Sequence, residues 1–227
     1  MLTVIIPTYN AAAVLGGTLK SLTSWQQLAE IPTEIIAVDG GSTDGTREIA
    51  NAAGATLVMA PKGRGQQLAA GAQAAGTGWL LFLHADTRLA DGWGDAVTSF
   101  MADPVNRRRA GYFRFALDDA APAARRLEAA VSWRNRLLGM PYGDQGLLIS
   151  REFYQALGGY RPMPLMEDVD LVRRIGRRHL VMLGAEAVTS AEKYRRKGYL
   201  RRSVRNVACL ALYGLGLPPR VIARLYG

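Results

Sequence analysis

Cysteine is nearly absent. Cys209 is the single cysteine in 227 residues, so no intrachain disulfide can form, and a reducing compartment is expected. Histidine is scarce too. His84 and His179 are the only two, and they lie too far apart to read as a local zinc motif. Long apolar runs are missing: a membrane span needs about 20 such residues, and the best candidate, 204–217, is interrupted by Arg205, Asn206 and glycines. The first seven residues carry no basic leader and read as a strand, not a signal peptide. No G-x-G-x-x-G follows the first apolar segment, which argues against dinucleotide-dependent redox chemistry. The near match Gly63-Arg64-Gly65 lacks the third glycine. There is no G-x-x-x-x-G-K-[ST], and neither Ser42 nor Ser150 sits in a nucleophile elbow. Acids run short at one end. Residues 173–227 hold 13 Lys and Arg against Glu186 and Glu192, whereas the whole chain carries +9. A basic tail on a near-neutral body suits a polyanionic partner: a diphosphate, an anionic membrane face or nucleic acid.

What is present is a repeated strand–helix pattern. Trp79-Leu80-Leu81-Phe82-Leu83 is a short unbroken apolar run that stops at His84-Ala85-Asp86. Such a run predicts a strand buried on both faces. Leu2 to Ile6 and Glu34 to Val38 predict two more strands, with Pro7 ending the first, and Thr56 to Met59 a short third. Leu15, Leu19 and Leu22 mark one face of an intervening helix. The first 85 residues therefore read β-α-β-α-β-α-β with a parallel sheet. Three polar loops, 8–10, 39–46 and 84–88, fall at strand ends, where ligands of open α/β sheets collect. Further on, helices are expected at 94–101, 122–138, 150–158 and 167–178, and strands at 112–115, 147–149 and 180–183.

Several side chains in these loops have two readings each. His84 and Asp86, two apart on an extended segment, point the same way and suit a divalent cation; alternatively Asp86 caps a turn. Asp39 can accept from a nucleobase or ribose, or it can bond its own turn with Ser42. Arg64 can meet a phosphate or solvent. Glu167-Asp168 can supply a general base or cap the helix they open. Tyr199, Leu200, Val204 and Val207 alternate with Arg201, Arg202 and Arg205, a basic amphipathic pattern. That tail can be a solvated helix face, a lid over a diphosphate or a membrane contact.

Four segments taken together resemble family 2 glycosyltransferases with the GT-A fold: Val4-Ile5-Ile6-Pro7-Thr8-Tyr9-Asn10, Val38-Asp39-Gly40-Gly41-Ser42-Thr43-Asp44-Gly45-Thr46, Phe82-Leu83-His84-Ala85-Asp86 and Met166-Glu167-Asp168-Val169-Asp170-Leu171. The segment Gly143-Asp144-Gln145 and the tail look closer still to the bacterial radical-SAM/selenodomain-associated transferases. The resemblance implies an α/β GT-A (Rossmann-like) mostly parallel sheet flanked by helices, over residues 1–190, with a basic helical tail at 191–227. Residues 1–100 would hold the nucleotide-sugar and 101–190 the acceptor. Pro7, Thr8, Tyr9 and Asn10 would line the nucleotide pocket. Asp39 would bind the base, usually uracil, with Gly41 and Ser42 nearby, and Arg64 would approach the ribose or phosphates. Asp86, with His84 and Ala85 beside it, matches the end of the D-x-D motif and would hold Mn²⁺ or Mg²⁺. His84 stands where the family has an Asp, and an imidazole ligand favours Mn²⁺. Asp168 matches the catalytic base of inverting members, with Glu167 next to it.

The resemblance thus implies an inverting, metal-dependent transfer of one sugar from a nucleotide-diphospho-sugar to an acceptor hydroxyl, a lipid-linked acceptor included. The Q-x-x-R-W motif of processive synthases is missing from the tail, which suits single-sugar transfer. The expected location is cytoplasmic, at the inner face of a membrane if the tail docks there. Other readings are a nucleotide-binding module without turnover and a nucleic-acid binder led by the tail, the latter not expected because no recognised module accompanies Tyr194 and Tyr199.

Overall fold

The computed structural model describes residues 1–26, 31–76 and 78–226. The four strands expected in the first half form as β1 (Leu2–Thr8), β2 (Thr33–Asp39), β3 (Thr56–Met59) and β4 (Trp79–Phe82), with α1 (Ala12–Gln26), α2 (Thr46–Ala52) and α3 (Arg64–Ala74) between them. A short strand that the sequence pattern does not signal, β5 (Thr87–Leu89), precedes α4 (Trp93–Ala102). Then come β6 (Ala110–Leu117), α5 (Pro122–Leu138), β7 (Leu147–Ser150), α6 (Arg151–Ala156), α7 (Glu167–Ile175) and β8 (Leu180–Thr189). The tail folds as α8 (Glu192–Lys197), α9 (Tyr199–Gly214) and α10 (Pro219–Tyr226).

The strands join in one sheet in the order β3-β2-β1-β4-β7-β6-β8-β5. β1 is parallel to both β2 and β4, and β2 to β3. β7 runs antiparallel to β4 and β6, and β5 antiparallel to β8. The chain leaves β1 toward β2 on one side and returns to β4 on the other. That reversal opens a crevice past the carboxyl ends of β1 and β4, the place where such sheets bind ligands. His84 and Asp86 stand just beyond β4.

Period-two alternation sorts β1 onto two cores. Leu2, Val4 and Ile6 pack with Leu15, Leu19 and Leu22 of α1 and Trp93, Val97 and Phe100 of α4. Ile5 packs on the other face with Ile36, Val38, Leu68, Ala72, Leu80 and Phe82. Each such side chain contributes roughly 1.5–3 kcal/mol on burial. α3 lies close enough to the sheet that a methyl at Gly71 would come within 2.8 Å of Val38 Cγ2.

Pro7 does not end β1, which continues through Thr8 paired to Asp39. Ile5 carries its peptide groups toward β4, since its carbonyl accepts from Leu83 N at 3.0 Å, and Pro7, two residues on, faces the same way. Pairing with β4 stops at Ile5–Phe82, so the missing N–H of Pro7 breaks no ladder. β8 reaches Thr189, well past 183, because it gains partners along both β6 and β5. α7 stops at Ile175, short of 178, where Gly176 takes φ +76°. The boundary expected at 190/191 falls between β8 and α8. Residues beyond it pack back onto the body: Cys209 and Ile222 share a buried cluster with Leu165, Met166 and Val169. Gly227 lies outside the described residues.

Candidate active site

The loops after β1 and β2 are tied together by their own side chains. Asn10 N donates to Ser42 Oγ at 2.9 Å, Thr43 N donates to Asn10 Oδ1 at 2.9 Å, and Ala11 N donates to Thr46 Oγ1 at 2.8 Å. Asn10 itself sits at φ +47° and Gly41 at φ +89°. Asp39 is fully buried. Its carboxylate accepts from Gly41 N at 3.1 Å, Ser42 N at 2.9 Å, Thr8 Oγ1 at 3.3 Å and the Ser42 hydroxyl. Burial opposes its charge, but the bonds from Ser42, Gly41 and Thr8 outweigh that and hold its pKa below the usual carboxylate range. Gln67, which sequence reasoning passed over, seals the same corner. Its buried amide donates to Thr8 O at 2.7 Å and Val38 O at 2.8 Å, locking the ends of β1 and β2. The Gln66-Gln67 pair opening an alanine-rich helix was the one signal for it.

In front of these loops lies a cavity of about 380 Å³. Pro7, Thr8, Tyr9, Asn10, Arg64, His84, Ala85 and Asp86 all line it, joined by Gln67 and Lys193. Asp39, Gly41 and Ser42 are not on its wall; they stand behind it and brace it. Lys62 Nζ sits 3.8 Å over the Tyr9 ring.

A second cavity, about 170 Å³, adjoins the first. Arg64, His84, Asp86, Ser190 and Lys193 line both. Asp168 faces this second space, at the first turn of α7. There the helix dipole favours a carboxylate, and Gly143 N donates to Asp168 Oδ2 at 2.9 Å. The residue before α7's first turn, Met166, holds φ +70°, a strained conformation for a bulky side chain that marks a tightly determined position. Gly143 must stay small. A methyl there would lie 2.5 Å from His84 Nε2 and 3.4 Å from Asp168 Oδ2. The loop carrying Gly143 is pinned by Gln145, whose buried amide donates to Phe113 O at 3.0 Å and accepts from Asn135 Nδ2 at 3.1 Å.

Glu167 points elsewhere. It is 1% exposed and lies beside Leu68, Phe82 and Tyr160, with Arg64 Nε 3.0 Å from Oε1. Burial, more than the attraction of Arg64 can offset, pushes its pKa up to about 7. So the structure brings Asp168, His84 and Asp86 together and turns Glu167 into the protein.

Charge in the cavity wall is finely set. Burial and then Arg64 push the His84 pKa down to about 4, so its imidazole is neutral at pH 7. Burial opposes the charge on Asp86, yet His84 and Lys193 together keep its pKa below normal. Lys193 Nζ donates to Asp86 Oδ2 at 2.7 Å, and Ser190 N donates to Asp86 O at 3.1 Å. A carboxylate already holding a cation, beside a neutral imidazole, is chemistry that fits a divalent ion. Among the described residues, no cluster of three or more His, Cys, Asp or Glu side chains would hold a metal unaided.

The architecture is that of the GT-A fold. M. tuberculosis glucosyl-3-phosphoglycerate synthase, solved with Mn²⁺, UDP and glucosyl-3-phosphoglycerate, superposes with a TM-score of 0.57 at 20% identity, over 84% of this chain and 70% of that one. S. aureus TarS (residues 1–349) with UDP gives a TM-score of 0.62 at 14% identity, over 97% of this chain and 68% of that one. Residues 3–106 match the model for Glycosyl transferase family 2. The PGL/p-HBAD biosynthesis glycosyltransferase of Mycobacterium tuberculosis (strain ATCC 25177 / H37Ra) is 40% identical over 102 residues, which cover 39% of this chain and 36% of that protein. The match thus spans little more than a third of the length of the curated relative. Residues 3–106 thus resemble glycosyl transferase family 2 in sequence, and the chain has a GT-A fold.

Proposed function

We propose that the chain is an inverting glycosyltransferase that moves one sugar from a nucleotide-diphospho-sugar, UDP-linked, to an acceptor hydroxyl. One observation carries this reading. Asp168 and the His84–Asp86 pair, 82 positions apart in the chain, line the same cavity, and that cavity opens through His84 and Asp86 into the larger one bounded by residues 7–10. The donor's nucleotide lies in the larger cavity, its base over Tyr9 and Asn10 and its diphosphate at Arg64 and Lys193. Asp39, Gly41 and Ser42 hold the loop against which the base rests. The neighbouring synthase structure that holds Mn²⁺ and UDP supports the choice of donor.

Asp168 then takes the proton of an acceptor hydroxyl in the smaller cavity. The freed oxygen bonds to the anomeric carbon as the bond from that carbon to the diphosphate oxygen breaks. One displacement from the opposite side inverts the configuration. Arg64 and Lys193 offset the charge that develops on the leaving diphosphate. Asp86 and His84 would hold a Mn²⁺ or Mg²⁺ ion, which supplies further charge neutralisation when bound. Gly143 N, bonded to Asp168 Oδ2, aims the carboxylate. The segment around Gly143-Asp144-Gln145 fits the radical-SAM/selenodomain-associated subgroup.

No helix among the described residues is long and apolar enough to cross a membrane. On α9, Leu200, Val204 and Val207 are 78%, 58% and 64% exposed, with Arg201 and Arg205 between them. This outer face would rest on the anionic inner surface of a membrane, where a lipid-linked acceptor would lie.

Thermal melts against UDP, GDP and their sugars, with and without Mn²⁺, test the donor site, because a ligand of the folded state raises the midpoint. A UDP shift that needs Mn²⁺ and vanishes in Asp86→Ala is expected. No shift with any nucleotide, in a folded protein, would sink the assignment.

A further inference from the structure

Arg64 and Lys193 both line the two cavities, but they are held in different ways. Arg64 Nε lies 3.0 Å from Oε1 of Glu167, a carboxylate that lines neither cavity. Lys193 Nζ donates to Asp86 Oδ2 at 2.7 Å, and Asp86 is its only ion-pair partner among the described residues. Asp86 is also the carboxylate read above as a holder of a divalent ion. The chain therefore sets a cation of its own on the group that a metal would use.

We propose that Lys193 is a built-in counter-cation that makes divalent-ion binding at Asp86 conditional on a diphosphate. This rests on the reading of Asp86 as a metal ligand and of the larger cavity as the place of the diphosphate. An ammonium and a divalent ion on one carboxylate stand a few ångströms apart and repel. The Asp86 side chain is only 15% exposed, so solvent and salt screen that repulsion less than at an open surface. A diphosphate beside Arg64 changes the balance. Its oxygens give Lys193 another anion, and Asp86 is released. Nucleotide and ion then favour each other, and that coupling has the same size in both directions. A nucleoside without phosphates offers Lys193 no anion and should not couple.

The fold suits this role, because it fixes the backbone around Lys193 and leaves the side chain loose. Ser190 N donates to Asp86 O at 3.1 Å, and Ala191 N donates to Asp118 Oδ1 at 2.6 Å. Tyr194 is buried with Phe115, Leu117 and Val131 and stacks on Tyr199 at 5.4 Å. The Lys193 side chain between these anchors is 62% exposed, and a lysine ammonium rides on a flexible four-carbon stem. Turning that stem from Asp86 into the larger cavity asks nothing of α8. The part of the tail that meets the diphosphate is thus one side chain and not a whole helix.

Mn²⁺ titrations of the full chain, followed by electron paramagnetic resonance of the free ion and corrected with protein-free titrations, test this. Wild type, Lys193→Met and Lys193→Arg are each titrated alone, with uridine and with UDP, and thermal melts confirm that each is folded. Without nucleotide, Lys193→Met should bind Mn²⁺ about fivefold more tightly than wild type, the upper end for an ion pair with an exposed partner. That gain should vanish when Asp86→Ala is added. Lys193→Arg keeps the charge and should bind Mn²⁺ no more tightly than wild type. UDP should tighten Mn²⁺ binding more in wild type than in Lys193→Met, by about the same factor, and uridine should act on neither. Equal or weaker Mn²⁺ binding by Lys193→Met, no Mn²⁺ binding by either protein without nucleotide, or a measurable UDP effect of one size in both would overturn the proposal. If the gain appears while UDP acts on neither protein, the donor reading falls and Lys193 still guards Asp86.

Discussion

The two cavities that meet at His84 and Asp86 are built on opposite plans. Around the larger cavity, polar side chains are satisfied by one another: Asp39 by Thr8, Gly41 and Ser42, Asn10 by Thr43, Gln67 by the ends of β1 and β2. Around the smaller cavity, Tyr142, Asp144, Arg202 and Asn206 each leave a buried atom without a hydrogen-bond partner. The first plan makes a rigid shelf that exists without ligand, and a shelf can serve any member of a nucleotide class. The second leaves those atoms closed off from the cavity space and without partners.

The largest effect should fall where the halves react. Asp168→Asn keeps the shape of the side chain and removes its basicity. Transfer should drop by about 10²–10⁴-fold, the range for a lost general base, while the UDP thermal shift is retained. A radiolabelled-sugar transfer assay beside a melt reads both. An unaffected rate would place the base elsewhere.

Breaking the shelf should cost stability first. Asp39→Ala leaves the N–H groups of Gly41 and Ser42 and the hydroxyls of Thr8 and Ser42 without their acceptor. A loss of about 3 kcal/mol is expected, read by urea denaturation. The same substitution at Asp144, whose free oxygen already lacks a partner, should cost far less. Equal costs at the two carboxylates would erase the contrast between the halves.

Glu167 tests the boundary by pH. Its ordinary value is 4.5 and burial pushes it up to about 7. Between these values the folded protein keeps a proton that the unfolded chain has released. The stability from the neutral carboxyl is therefore complete below about 4.5 and lost as pH rises through about 7, a span on the order of 3 kcal/mol. Glu167→Gln should flatten that slope. Urea midpoints at pH 5, 6, 7 and 8 would show it, and an unchanged slope would mean that Glu167 is ionised beside Arg64 throughout.

Much of the donor half was legible because its signals are local. Apolar runs ended at His84 and Asp39, and the glycine-rich loop 39–46 announced a turn. What local reading left open was which way a side chain turns. Asp39 had both a ligand role and a turn role, and its oxygens face its own loop. Glu167 and Asp168 are neighbours in sequence, yet one is buried against Arg64 and the other faces the cavity. β5 went unseen because three residues carry no period, and it exists through pairing with the distant β8. The smaller cavity was hidden for the same reason. Residues 142–144 and 202–206 meet only after the tail folds back, and nothing in either segment alone names the other.

The smallest effect on stability should come from the outer face of α9, and it carries the sharpest contrast within one helix. Leu200, Val204 and Val207 are exposed, so replacing all three with Ser should shift stability by no more than about 0.5 kcal/mol per site. The inward side behaves differently: Cys209 is 3% exposed and packs with Ile222, Leu165 and Met166, so Cys209→Asp should unfold that corner. If the outer face docks on a bilayer, the triple Ser variant should lose flotation with vesicles rich in anionic lipid at low salt while its UDP shift and its transfer to a soluble acceptor remain. Neutral vesicles or 1 M salt should release the wild type as well, since part of the attraction is to Arg201 and Arg205 and is screened. Equal flotation of variant and wild type would leave α9 as a wall of the smaller cavity and nothing more.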